Sequence, residues 1–271
     1  MFATTERIHP TALIDPEAQL AGDVIVGPYA IIEGPVKLGP GCVVRARAHL
    51  IGPFQAGERN DFGVGCVIGE RAQHLLHADS PGGLVIGDFN TFREFVTIHH
   101  GTPDAGETRI GSHNFLMVNT HIAHDCTIGD RCIFANGAII GGHVTLGDGV
   151  FLSGNTGVHQ NCQVGRLALI SACSSATKDV PPFAIHEGRN TLVGVNLVGI
   201  KRAGMSSPQI YAIRQAYRLL LHSGQLPSAV LPRLERELGH IDVIAELLKF
   251  FHTAKRGVCL TRARKLHMTQ S

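Results

Sequence analysis

Apolar residues recur at every sixth position along most of this chain, and the phase holds over long runs. The first run passes through Ile8, Ile14, Leu20, Val26, Ile32, Leu38, Val44, Leu50, Ala56, Phe62 and Ile68. After a lapse it resumes at Ile86, Phe92 and Ile98. After a second lapse it continues through Ile110, Leu116, Ile122, Ile128, Phe134, Ile140, Leu146, Leu152, Val158, Val164 and Ile170. A helix repeats near ~3.6 residues and a strand near ~2, so neither gives a period of six. Six is the period of hexapeptide repeats coiled as a parallel β-helix. Each hexad supplies one short strand and one turn, and three hexads close a triangular rung of about 18 residues, with rungs stacked roughly 4.8 Å apart.

The periodic aliphatic points into the prism, and the residue four positions later must also fit inside, near a corner. It is small at Ala12, Ala18, Val24, Ala30, Val36, Cys42, Ala48, Cys66, Cys126, Cys132, Ala138, Val144, Val150, Thr156, Cys162 and Ala168. Phe54 and Asn60 break the rule. Glycine often follows the aliphatic, as at Gly27, Gly39, Gly69, Gly87, Gly111, Gly129 and Gly147, which suits close turns.

The solenoid is expected from about Ile8 to about Ala176, after a disordered start over residues 1–5. The two lapses, at about 71–84 and 101–109, are rich in turn formers (Asp79-Ser80-Pro81-Gly82-Gly83 and Thr102-Pro103-Asp104-Ala105-Gly106) and read as loops leaving the prism. Pro181-Pro182 marks the exit, and a Gly-rich extended stretch runs to Gly204. Ser207, as N-cap before Pro208, opens a helix with Ile210, Ile213, Ala216, Tyr217, Leu220 and Leu221 on its apolar face, stopped by Gly224. Further helices are expected over 228–238 and 241–255, with the end from Arg256 frayed. The fold class is thus an all-β solenoid with an α cap. Residues 1–204 form the β-helix domain, and 205–271 a small helical domain that covers the last rung.

Five of the seven cysteines occupy the small inward slot and no Cys-x-x-Cys pair exists, so they read as buried, reduced thiols of a cytoplasmic protein rather than disulfides or zinc ligands. Residues 1–10 lack a basic start followed by an apolar stretch, so no signal peptide is expected, and no apolar run reaches the ~18 residues that span a bilayer. The formal charge of +2 hides an asymmetry. From Lys201 onward 12 Lys/Arg face 4 Asp/Glu, which suggests an acidic partner or a solvated basic surface. No aromatic–basic motif accompanies these charges, so nucleic acid is not expected.

Sixteen histidines are present, and His99, His100, His113, His121, His124, His143 and His159 crowd into one stretch. Gly142 lies one 18-residue rung beyond His124, and position 161 one rung beyond His143. His124, His143 and His159 therefore stand near one edge in successive rungs, and none of the cluster falls on an inward slot. Three readings stay open at this level. The column is incidental; or imidazoles such as His121 and His124 converge on a metal at about 2.1 Å; or one imidazole is a general base, His124 oriented by Asp125 with the Gly142 amide facing an oxyanion.

The segments His121-Ile122-Ala123-His124-Asp125-Cys126, Val96-Thr97-Ile98-His99-His100-Gly101-Thr102, Gly142-His143-Val144, Val158-His159-Gln160, Asp179-Val180-Pro181-Pro182, Gly194-Val195-Asn196 and Ile213-Arg214-Gln215-Ala216-Tyr217 strongly resemble the UDP-N-acetylglucosamine O-acyltransferases of lipid A biosynthesis. The likeness spans nearly the whole chain. It implies a left-handed coil and a homotrimer with active sites in clefts between neighbouring prisms. It also implies transfer of a 3-hydroxyacyl chain from acyl carrier protein to the 3-hydroxyl of UDP-N-acetylglucosamine, with neither cofactor nor metal. His124 would be the base, Asp125 its orienting group and Gly142 the oxyanion donor. His74, His99, His121, His143, His159, Gln160, Asn196 and Arg202 would bind substrate, and Leu169 and Ala172 would set the acyl length. The acidic carrier protein gives the basic C-terminal region a role.

Four positions depart from the resemblance. Where the family has Gln-Asp-Leu-Lys the chain reads Gln73-His74-Leu75-Leu76, which removes a lysine; Val198 replaces a Glu and Ala203 an Arg. The acceptor side is altered while the base machinery is intact, so a 3-amino sugar nucleotide is an alternative acceptor. Ala172, larger than Gly, is expected to shorten the acyl pocket. Two further alternatives are a trimeric zinc carbonic anhydrase on the same coil, which bound zinc would reveal, and a non-enzymatic scaffold, which had no reason to keep His124, Asp125 and Gly142 together.

Overall fold

The computed structural model describes residues 7–75, 82–104 and 106–260. Its strands, most only two or three residues long, form three sheets of nine, eight and ten strands, one on each face of a prism of about nine turns. Pairing within the coil is parallel and in register. Leu13 lies beside Ile31, Ile31 beside His49 and His49 beside Val67, a spacing of 18 residues at each step. Val67 then pairs with Thr97, and Thr97 with His121, so the steps lengthen to 30 and 24 residues before 18 returns at Ile139. The extra residues are the two loops foreseen from the lapses. Their bases are joined: Gly82 N donates to Gly101 O (2.8 Å), Gly101 N to Gly83 O (3.0 Å) and Gly83 N to Gly106 O (2.7 Å).

Beyond the first rung both inward slots are buried as the hexads require, whereas at the open end Ile8 is exposed and Ala12, Ile14, Ala18 and Leu20 are half-buried. On one face the inward column passes through Val44, Phe62, Phe92, Leu116, Phe134, Leu152 and Ile170, all sealed from solvent. Phe62 and Phe92 stack at 5.3 Å between ring centres. Each such ring removed from water contributes about 2–3 kcal/mol.

Asn60, an exception to the small-residue rule, starts a second column. Asn60, Asn90 and Asn114 are buried one above another. Asn90 N donates to Asn60 Oδ1 (3.0 Å), Asn114 N to Asn90 Oδ1 (2.9 Å) and Cys132 N to Asn114 Oδ1 (2.7 Å). Their amide groups also cap turn carbonyls, Asn60 that of Gly87 (2.8 Å) and Asn90 that of Gly111 (2.9 Å). The column supplies partners for buried backbone groups at one corner of successive rungs. Cys42, Cys66, Cys126, Cys132 and Cys162 are buried free thiols, and burial pushes the thiols of Cys66, Cys126 and Cys132 up to about 12.

The region between Phe183 and Gly204 is not simply extended. It holds an antiparallel hairpin of Ala184–Glu187 and Thr191–Val195, then helix α1 (Leu197–Arg202). Asn196 makes the difference, because its Oδ1 accepts Gly199 N (3.0 Å) and caps α1. Helix α2 (Ser207–His222) starts one position earlier than its Pro suggested. Ser206 is the N-cap, in a reciprocal box with Gln209. Helices α3 (Pro227–Leu238) and α4 (Asp242–Thr253) follow. Buried Tyr217 of α2 donates to Pro182 O (2.5 Å), and Arg166 of the coil pairs with Glu246 of α4 (2.7 Å), so the cap is held on the final rungs.

The chain does not fray at Arg256. Val258 pairs with Asp179 and Leu260 with Thr191, which lays a short strap back over the coil. The expectations for residues 1–5 and for the extreme C-terminus beyond 260 lie outside the described residues.

Candidate active site

His124 and Asp125 follow the two-residue strand His121–Ile122, at a corner of the prism where Asp125 takes left-handed backbone (φ 60°). That conformation turns the carboxylate back onto its neighbour. His124 Nδ1 lies 2.6 Å from Asp125 Oδ2. The Asp125 side chain is only 2% exposed, and hydrogen bonds hold both its carboxylate and its main chain. Thr102 N donates to Oδ1 (2.7 Å), Thr102 Oγ1 donates to Oδ2 (3.1 Å), and the Asp125 N–H donates to Thr108 Oγ1 (2.8 Å). Because the second loop carries Thr102, the sequence spacing alone did not expose this pair of threonines. With Nδ1–H donated to a carboxylate, the neutral imidazole keeps Nε2 as its proton acceptor.

One rung on, Gly142 lies under the His124 ring. A Cβ built on Gly142 would stand 2.7 Å from His124 Cε1 and 2.8 Å from Nε2, so only glycine lets the imidazole sit there. Among the described residues the Gly142 N–H has no acceptor, whereas Gly141 N donates to Val158 O (2.9 Å) and His143 N to His124 O (3.0 Å). Two further imidazoles meet the His124 ring edge-on, His143 at 5.2 Å and His74 at 5.4 Å between centres. His143 Nε2 is 3.5 Å from the same Asp125 oxygen.

His121, His124, Gly142, His159 and Gln160 line one cleft of about 500 Å³ with Gln73, Thr177 and a floor of Ile139, Val158, Gly157 and Ala176. His121 Nδ1 is 2.8 Å from Thr97 Oγ1, and its ring abuts that of His99 (5.1 Å). Burial, with His99 adding to it, pulls the His121 imidazole down to about 4, so it is neutral near pH 7. His99 Nδ1 donates to Arg71 O (2.5 Å).

None of the clustered histidines occupies an inward slot, yet three of them are covered from outside the prism rather than open to solvent. His99, His100 and His124 are buried, the first under the loop residue Arg71 and the last under His74 and His143. His100 follows a register shift opposite Glu70 and packs against Gly69, and burial lowers its proton affinity. His113 stands apart, stacked on Phe89 (4.9 Å).

Of the residues expected to touch substrate, His74, His99 and His143 border the His124 or His121 ring without lining this cleft, and four more stand away from it. Asn196 is used by the α1 cap and by Leu167 O (2.9 Å), and Arg202 is exposed at the end of the same helix. Leu169 lies on another face, beside Phe151 and Ile185, with Ala172 exposed just beyond it. Val198 and Ala203 are also on or next to α1, Leu75 is fully exposed, and Leu76 lies outside the described residues.

His124, Asp125 and His143 offer ligand atoms within 4.8 Å of one another, enough to hold a metal ion. Two imidazoles and a carboxylate are not the three-histidine zinc set of the carbonic anhydrase alternative, and among the described residues no third imidazole joins them. The 2.6 Å bond from His124 Nδ1 to a carboxylate, with the unpartnered Gly142 N–H in the same cleft, makes an acid–base site.

Residues 179–259 match the family model described as UDP N-acetylglucosamine O-acyltransferase, domain 2, and residues 107–142 match that of the bacterial transferase hexapeptide (six repeats). An acyl-[acyl-carrier-protein]–UDP-N-acetylglucosamine O-acyltransferase of Thiobacillus denitrificans is 43% identical over 253 residues, which cover 93% of this chain and 98% of that protein. The crystal structure of UDP-N-acetylglucosamine O-acyltransferase from Moraxella catarrhalis superposes with a TM-score of 0.90 at 37% identity, covering 94% of this chain and 100% of the other. That of UDP-N-acetylglucosamine acyltransferase from Francisella novicida gives 0.91 at 30% identity, covering 94% of each.

Proposed function

Because the chain belongs to the UDP-N-acetylglucosamine O-acyltransferase family, we propose that it moves a 3-hydroxyacyl chain from acyl carrier protein to the 3-hydroxyl of UDP-N-acetylglucosamine, the first step of lipid A biosynthesis. The observation that carries the mechanism is the His124–Asp125 bond (2.6 Å) beside the free Gly142 amide. His124 Nε2 takes the proton of the sugar hydroxyl as its oxygen attacks the thioester carbonyl. The negative charge that develops on the carbonyl oxygen is met by the Gly142 N–H. Collapse breaks the C–S bond, and the imidazolium returns its proton to the departing thiolate, which leaves an ester and a free thiol. Asp125 fixes the tautomer and stabilises the imidazolium. Neutral His121, with His143, His159 and Gln160, orients the sugar and the acyl carbonyl.

The residues that do not meet His124 within one chain support a trimer. A neighbouring prism would bring Asn196, Arg202, Leu169 and Ala172 toward the cleft, where Ile139, 50% exposed, offers an apolar wall. In this reading the β-helix carries the chemistry, and helices α2, α3 and α4 close the coil and present a basic surface to the acidic carrier. Among the described residues no helix is long and apolar enough to cross a membrane, and the buried free thiols accord with a cytoplasmic site of action. The 3-amino acceptor is not favoured, since the relative at 43% identity is named for the hydroxyl sugar.

A mass-spectrometric assay would offer UDP-N-acetylglucosamine and its 3-amino analogue with a ladder of 3-hydroxyacyl carrier proteins. Ester product on the hydroxyl sugar is expected. Product on the amino sugar alone would overturn the acceptor assignment.

A further inference from the structure

The strap that follows α4 passes beside the cleft, and the fold anchors it at a buried carboxylate. Asp179 is fully buried. Its Oδ1 accepts Gln163 N (2.8 Å), while its Oδ2 accepts the backbone N–H groups of Lys255 (3.0 Å) and Arg256 (3.2 Å). The main chain adds two bonds, Asp179 N to Gly257 O (2.9 Å) and Cys259 N to Asp179 O (2.8 Å). A carboxylate is thus buried against amides alone, and what those bonds fix is the position of residue 256.

The Arg256 side chain leaves the strap toward the cleft. Its Nη2 lies 3.4 Å from His159 Nδ1, and His159 and Gln160 line the same cleft as His124. His159 Nδ1 also faces Gln160 O at 3.2 Å, so the imidazole either donates there or accepts from the guanidinium. Arg256 is exposed and meets no carboxylate among the described residues, unlike Arg166, which is bound to Glu246. A guanidinium has five N–H donors in a planar fork suited to phosphate oxygens. Here most of them are unspent at the mouth of a reaction cleft.

We propose that Arg256, held by Asp179 through the C-terminal strap, binds a phosphate group of a substrate as it enters the cleft. The inference rests on the acyl-transfer reading, in which both substrates carry such a group: the diphosphate of the sugar nucleotide and the phosphodiester of the carrier's pantetheine arm. It gives the strap a part in recognition that the hexad scaffold cannot supply.

The test uses the full chain with Arg256→Ala and Arg256→Lys. Calorimetry measures binding of UDP-N-acetylglucosamine, of 3-hydroxyacyl phosphopantetheine and of the same thioester lacking the phosphate. Turnover is followed in parallel with acyl carrier protein. Loss of one charge-assisted phosphate contact is expected to weaken one phosphorylated ligand, and its KM, by about tenfold, with kcat within about threefold and partial recovery in Arg256→Lys. Weakened nucleotide binding assigns the diphosphate. Weakened phosphopantetheine binding, with the dephosphorylated thioester unaffected, assigns the carrier arm. Unchanged affinity for both, or equal loss of all three ligands, overturns the proposal. Calorimetry needs no turnover, so a wild-type chain that binds these ligands but transfers nothing would defeat the acyl-transfer reading and still decide the role of Arg256.

Discussion

Replacing Gly142 with alanine tests the packing of the base more sharply than removing the base itself. The added methyl would lie 2.7 Å from His124 Cε1, whereas carbon atoms at rest against each other stand about 3.5–4.0 Å apart, so the ring must retreat by about 1 Å. It cannot retreat freely, because Nδ1 is tied to Asp125 at 2.6 Å and the ring is flanked by His74 and His143. A misplacement of about 1 Å at a reacting group costs on the order of 100-fold in rate, or about 2.7 kcal/mol in the barrier. The amide that faces the oxyanion would shift with it. We therefore expect kcat for Gly142→Ala to fall about 100-fold, with the KM for sugar nucleotide within a few-fold. Gly22→Ala is the control, since nothing lies within 4 Å of its built Cβ. Steady-state transfer and thermal unfolding would be measured on both variants. A Gly142→Ala enzyme within threefold of wild-type kcat would refute the placement of His124 over that glycine.

Other consequences follow from the core and the titrating histidines. Asn90→Ala removes the middle member of the amide column and strands Asn114 N and Gly111 O inside the prism; a loss of about 3 kcal/mol in urea unfolding is expected, and a loss under about 1 kcal/mol would mean the column is dispensable. Burial lowers both His121 and His186 to about 4 in the folded chain, while the unfolded chain takes up those protons near ~6.5. Stability is then full above pH ~6.5 and declines as the pH drops toward 4. His186→Gln should flatten the urea midpoint over that range, and a slope unchanged from wild type would count against it. Ala172→Gly is expected to shift donor preference toward longer chains in the carrier-protein ladder, and an identical chain-length profile would remove Ala172 as the determinant.

Much of this was visible in the residues. The sixfold period dictates the prism because each apolar position has one place to go, and 18-residue arithmetic alone sets Gly142 against His124. What stayed hidden was carried by insertions and returns. Asn60, Asn90 and Asn114 are spaced by 30 and 24, the same steps as the strands around the loops, yet Asn60 read only as an exception. Thr102 reaches Asp125 from a loop whose path no periodicity describes. The short helix α1 hangs on one cap from Asn196, and the strap hangs on Asp179, contacts between residues far apart in sequence or lacking any repeat. His74 meets His124 because the first loop folds back, which spacing could not foretell.

The central claim is that His124 removes the proton from the acceptor hydroxyl. Single-turnover transfer of a 3-hydroxyacyl group from carrier protein to UDP-N-acetylglucosamine by His124→Ala, with unfolding followed in parallel, tests it most directly. The account predicts a folded chain whose rate has fallen at least about 10²–10⁴-fold, the usual contribution of a positioned general base. A folded variant that retains transfer within tenfold of wild type would contradict it.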